Sequence, residues 1–167
     1  MKRALLVIDI QNEYFPGGAL PLWQAEETEA RIVSAIGRAL AAGDKIILVR
    51  HVSTATAGLF AADGAGIVIR PAILAASKGA PIVTKHFADS FQGTGLAAHL
   101  AGTEDLVVCG MMTQNCVVFT ALSRAADGLR VRVAGDLCTA PSEIVHKIAI
   151  AALNSKVGVK TAAEIWG

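Results

Sequence analysis

Charge is scarce in this chain. Asp, Glu, Lys and Arg make up 17% of its 167 residues, against about 25% in an average soluble domain. The formal balance is +1, and no Lys/Arg cluster or basic–aromatic stripe occurs. Nucleic acid is therefore not expected as a partner. Cysteines number three, an odd count with no C-x-x-C spacing. That argues against a disulfide or zinc framework and for a reducing compartment. No apolar run approaches the ~18 residues of a membrane span, so no membrane partner is expected. The basic–apolar start Met1–Ile8 stops at Asp9, too short for a secretory signal, and the expected location is cytoplasmic. No G-x-G-x-x-G follows the first apolar run, which passes straight into Gln11-Asn12-Glu13, so a dinucleotide phosphate loop is lacking.

Apolar residues, by contrast, reach 53%. Either both faces of a sheet are covered, or part of the surface is buried against another copy. A homo-oligomer is accordingly expected. The candidate contacts are the small-residue segment Thr54–Gly66, which could equally be a lid, and a helix over Ser142–Leu153. The length fits one domain over residues 1–167, large enough to bury roughly 70% of its unfolded surface.

Strand-like runs alternate with helical patterns. Strands are expected at Ala4–Ile8, Lys45–Val49, Ile82–Thr84, Leu106–Cys109, Arg130–Val133 and Lys156–Val159. Helices are expected at Ala25–Ala42, with Ile32, Val33, Ile36 and Leu40 on one face, and at Gln114–Ala126, Ser142–Leu153 and Ala162–Trp166. Shorter ones fall at Pro71–Ser77 and Gly95–Leu100. Six β–α units with nearly unbroken apolar strands imply an α/β fold, a mostly parallel sheet with helices on both faces.

In such sheets, ligands sit beyond the carboxyl ends of the strands. Three residues able to do chemistry fall there on three different strands: Asp9, Lys85 and Cys116. Each has a plainer reading, as a loop cap, a solvated charge and a small core residue. Together they fit nucleophilic catalysis. Thr113 is placed to cap the helix that follows, so Cys116 would lie in its first turn, where the helix dipole lowers a thiol pKa. That thiol should then alkylate ahead of Cys109 and Cys138. Lys85 can stabilise a thiolate, and Asp9 can take its proton and return it to a leaving group. The turn Gly110–Thr113 and the first helical turn can supply the backbone N–H groups of an oxyanion hole.

Asp9-x-Gln11-x-x-x-Phe15, Lys85 with Ser90-Phe91-x-Gly93-Thr94, and Gly110-x-x-Thr113-x-x-Cys116-Val117-x-x-Thr120-Ala121 with a later Asp136 resemble the isochorismatase-like cysteine hydrolases. The resemblance spans almost the whole chain in the order Asp, Lys, Cys. It implies a three-layer, Rossmann-like fold with a six-stranded sheet and an Asp9–Lys85–Cys116 triad. It also implies a cis peptide at Met111–Met112, with the Met112 and Cys116 N–H groups as the oxyanion hole. Gln11, Phe15, His51 and Phe91 are candidates for substrate binding, while Trp23 could wall the pocket or staple the first helix.

The nicotinamidases of this group carry an Asp-x-His-x-x-His metal site after the second strand. Here that stretch reads Arg50-His51-Val52-Ser53-Thr54, so no metal and no other cofactor are expected. His86 should point away from the site, and His99 and His146 should lie on the surface. The expected activity is hydrolysis of a C–N bond (amide, urea or carbamoyl) in a small molecule, through a thioester on Cys116. The rivals are vinyl ether hydrolysis, which needs no nucleophile, and a redox-sensing or binding module using Cys116.

Overall fold

The computed structural model describes residues 2–167. Six strands form one sheet: β1 (Arg3–Ile8), β2 (Lys45–His51), β3 (Ile82–Lys85), β4 (Asp105–Met111), β5 (Arg130–Thr139) and β6 (Gly158–Lys160). Their spatial order is β3-β2-β1-β4-β5-β6, and every neighbouring pair is parallel. Successive residues Ala4 to Ile8 are all buried, as are all seven of β4. Side chains alternate between faces along a strand, so unbroken burial means that both faces are covered.

The helices are α1 (Ala25–Ala41), α2 (Pro71–Ala76), α3 (Leu96–His99), α4 (Val118–Ala121), α5 (Glu143–Asn154) and α6 (Ala162–Trp166). The α1 stripe falls on the expected face, with Ile32 and Ile36 fully buried and Val33 and Leu40 packed at its margin. Burying each of those isoleucines contributes about 1.5–3 kcal/mol. Ser142 caps α5 by accepting from the Val145 N–H, and Thr161 and Glu164 form a capping box at α6.

Two elements differ from the sequence reading. Strand β5 runs on to Thr139, six residues past the expected end at Val133, with a register shift against β4 between Val108 and Gly110. Asp136 therefore lies inside a strand. Its carboxylate accepts the Ala162 N–H at 2.9 Å, at the start of α6 and outside the site.

The long helix expected over Gln114–Ala126 is broken into three pieces. A π-helical turn spans Thr113–Val117, α4 follows, and a 3-10 turn covers Arg124–Ala126. Thr113 is not the cap. Met112 holds that position without a side-chain bond, and the Thr113 hydroxyl pairs with His146 Nδ1 at 2.9 Å.

Candidate active site

The order of strands reverses between β1 and β4, and such switch points open a crevice at the carboxyl edge of the sheet. Asp9 leaves β1 there, with φ at 54° and its N–H tied to Val49 O at 3.0 Å. Cys116 follows β4 in the π turn. Lys85 ends β3, two strands away from β1, and its long side chain spans that distance. Lys85 Nζ lies 2.8 Å from Asp9 Oδ2, 3.3 Å from Cys116 Sγ and 3.0 Å from His51 Nδ1. Asp9 and Lys85 are wholly buried, and Cys116 reaches the surface of one cavity.

Burial dominates the electrostatics. It raises the Asp9 pKa above the ordinary carboxylate value, although the Lys85 charge pulls the other way. Burial alone would lower Lys85, but Asp9 and Cys116 together hold its pKa above the ordinary lysine value, so it stays cationic. The Cys116 thiol is pushed up to about 12, first by burial and then by the Asp9 charge, with Lys85 opposing. This reverses the expectation of a lowered thiol pKa. A single π turn offers no long helix dipole, and the negative charge of Asp9 disfavours a second anion on the sulfur.

The resting thiol is thus protonated beside the Asp9 carboxyl group rather than ionised in advance. Iodoacetamide is expected to modify Cys116 before Cys109 and Cys138, which lie buried in β4 and β5 away from the cavity. The rate should climb about tenfold per pH unit between pH 7 and 9, as the thiolate fraction does. Peptide mass spectrometry reads this directly, and a flat rate over that range would mean a pre-formed thiolate.

Burial, then Lys85, then His86, lower His51 to about 4. A neutral imidazole accepting from Lys85 at Nδ1 carries its proton on Nε2. Among the described residues no group of three or more His, Cys, Asp or Glu side chains is placed to hold a metal.

The cavity beside Cys116 has a volume of about 240 Å³. Tyr14, Leu20, His51, Ser53, Leu59, Phe60, Ala88, Met112 and Asn115 line it with the cysteine. Of the substrate-binding candidates, only His51 is there. Gln11 is fully buried; its amide donates to His51 O and Ile67 O at 2.8 and 2.9 Å and accepts the His51 N–H at 2.8 Å. It fixes the end of β2 and does not reach the cavity. Phe15 is core, with the Arg70 guanidinium 4.3 Å over its ring. Phe91 packs against the core beside Ser90, whose backbone N–H and hydroxyl bond the Thr120 hydroxyl. Trp23 stacks obliquely on His146, 5.9 Å between rings, and does not line the cavity. His146 is half-buried rather than a surface residue, whereas His86 and His99 are exposed as expected.

Tyr14 and Phe60 are the aromatic walls that sequence reasoning missed. Phe60 comes from the segment Thr54–Gly66, which closes one side of the cavity through Leu59 and Phe60. Its ring meets Tyr14 and His51 edge-on, at 5.0 and 5.2 Å. The buried Glu13 carboxylate accepts the Phe60 and Ala19 N–H groups, each at 3.0 Å, and so holds that wall in place. As the only bulky aromatic in a stretch of small residues, Phe60 was the available signal. The bond Met111–Met112 is cis, as the resemblance implied. The Met112 carbonyl accepts the Asn115 and Val117 N–H groups, which folds the cysteine turn over it.

The family model for the isochorismatase domain matches residues 3–164. An uncharacterized isochorismatase family protein of Bacillus subtilis (strain 168) is 34% identical, with 92% of each chain covered. A presumed isochorismatase hydrolase from Oleispira antarctica superposes with a TM-score of 0.89 at 30% identity, over 98% of this chain and 95% of the other. A nicotinamidase of Bacillus subtilis has a TM-score of 0.84 at 21% identity, over 95% of this chain and 99% of the other, a likeness of fold alone.

Proposed function

Because the chain belongs to the isochorismatase family, whose fold and hydrolase character it shares, we propose that it is a cysteine hydrolase opening a C–N bond of a small molecule. One observation carries this reading: a single buried ammonium, Lys85 Nζ, lies 2.8 Å from Asp9 Oδ2 and 3.3 Å from Cys116 Sγ. Asp9 takes the thiol proton as sulfur attacks the carbonyl carbon. The Met112 and Cys116 N–H groups donate hydrogen bonds to the developing oxyanion. Asp9 gives the proton to the leaving nitrogen, the C–N bond breaks and a thioester remains. Water, losing a proton to Asp9, then attacks the thioester; the acid departs and sulfur recovers the proton. Lys85 stays cationic throughout and offsets the negative charge that moves between oxygen and sulfur. The raised Asp9 pKa suits a group that must both take and return a proton. Ammonia or amine release from a panel of small amides, ureas and carbamates tests the reading; no turnover of any class would refute it.

A homo-oligomer is part of the same reading. Ile144 and Ile148, one turn apart on α5, are 67% and 65% exposed, with Phe119 also exposed. Burial of that stripe between copies would remove it from water. Sedimentation at micromolar concentration should give a species of at least twice the 17.2 kDa chain mass, and a clean monomer would reject it. Three free cysteines fit a reducing cytoplasm.

A further inference from the structure

Tyr14 is 3% exposed, yet it lines the cavity with Cys116. Its hydroxyl has no hydrogen-bond partner among the described residues, and it is not one of the buried polar atoms shut off from all space. Buried phenols ordinarily find a partner, so this one opens onto the cavity and lacks an acceptor there. The walls bring a second constraint. None of the ten lining residues is Lys, Arg, Asp or Glu, and the two charges behind Cys116 are paired with each other at 2.8 Å. A charged substituent entering here would lose its water without gaining a partner. The volume, about 240 Å³, lies below the ~300–1,000 Å³ of drug-sized sites.

We propose that Tyr14 is the specificity-determining hydrogen-bond donor of this pocket, and that the substrate is a small uncharged amide whose acyl portion offers it a neutral acceptor. The identification of the scissile group as an amide rests on the Cys116 reading; the donor and the exclusion of charge do not. Burial, then the charges of Asp9, Cys116 and Glu13, hold the phenol protonated, so it is a donor at every working pH. No protein group among the described residues accepts from it, so a ligand acceptor that enters the cavity can take a bond otherwise left to solvent. Phe60 and Leu59 line the rest of the cavity and offer the acyl group an apolar wall.

Binding is measured by calorimetry on the Cys116→Ala protein, so that turnover plays no part. The probes are benzamide, its three pyridinecarboxamide analogues, 4-nitrobenzamide and the isosteric anion 4-carboxybenzamide. One pyridinecarboxamide isomer is expected to bind roughly three- to tenfold tighter than benzamide, the gain of one neutral hydrogen bond. Adding Tyr14→Phe, which removes only the hydroxyl, should erase that gain and leave benzamide within about twofold. The carboxylate should bind at least about tenfold more weakly than its nitro isostere in both proteins. The proposal is overturned if no isomer exceeds benzamide, if the gain survives Tyr14→Phe, if the carboxylate matches the nitro compound, or if none of the uncharged amides binds at millimolar concentration. Selective binding by this protein, combined with no hydrolysis by the wild type, would instead sink the Cys116 reading and leave the role of Tyr14 standing.

Discussion

Lys85→Met is expected to destabilise the fold by about 3–5 kcal/mol at neutral pH and to abolish activity. The reason is the partner it leaves behind. Asp9 is wholly buried, and among the described residues Lys85 and the Cys116 thiol are the groups that meet its carboxylate. Without the ammonium, burial loses its main opponent and the folded-state pKa of Asp9 rises further above 3.8. A raised folded pKa gives a contribution that is present below the unfolded value and lost as pH rises. The penalty should therefore shrink toward pH 4 and grow toward pH 7. Urea unfolding across that range measures it. Asp9→Asn combined with Lys85→Met removes both charges, and Asn tolerates the positive φ of 54° at this position. The pair should regain most of the stability and none of the activity. A Lys85→Met protein as stable as the wild type at pH 7 would contradict the buried ion pair.

Gly110→Ala is expected to prevent stable folding, with a loss of about 4 kcal/mol or more. Gly110 has φ at 121°, a conformation that side chains rarely adopt. A Cβ placed there would stand 2.1 Å from Ile8 O and 2.8 Å from Ile8 N, both main-chain atoms of the adjoining strand. Neither can move without breaking the β1–β4 pairing that sets Asp9 beside the cysteine turn. Soluble yield and thermal melting read the outcome. A Gly110→Ala protein melting within a few degrees of the wild type would show that the strand yields where it is held here to be rigid.

The three clustered residues were legible because strand ends are legible. Asp9, Lys85 and Cys116 each close or follow a short β-branched apolar run, and a parallel sheet gathers such ends on one edge. What failed was fine orientation. Tyr14 and Phe15 are adjacent aromatics, and a short 3-10 turn over Asn12–Tyr14 brings the first to the cavity and sends the second into the core under Arg70. No periodicity in three residues could distinguish them. The π turn has no sequence period either. The i→i+5 bonding bends the backbone where a regular helix was expected, and with it went the inference of a dipole-activated thiol. The cysteine's environment is set by Asp9 and Lys85, which are 107 and 31 positions away in the chain. Gln11 was a substrate-binding candidate through its place in the Asp9-x-Gln11-x-x-x-Phe15 motif, but main-chain groups of the second strand and of Ile67 take up its amide.

The nucleophilic role of Cys116 is tested most directly by Cys116→Ala on whichever small amide, urea or carbamate the wild type hydrolyses. Ammonia or amine release is measured at saturating substrate, and thermal melting verifies that the variant is folded. Removal of a covalent nucleophile should lower kcat by about 10³-fold or more, with substrate binding retained. A folded Cys116→Ala protein that keeps kcat within tenfold of the wild type would mean that the bond is cleaved without a thioester, and the cysteine would then be only a wall of the pocket.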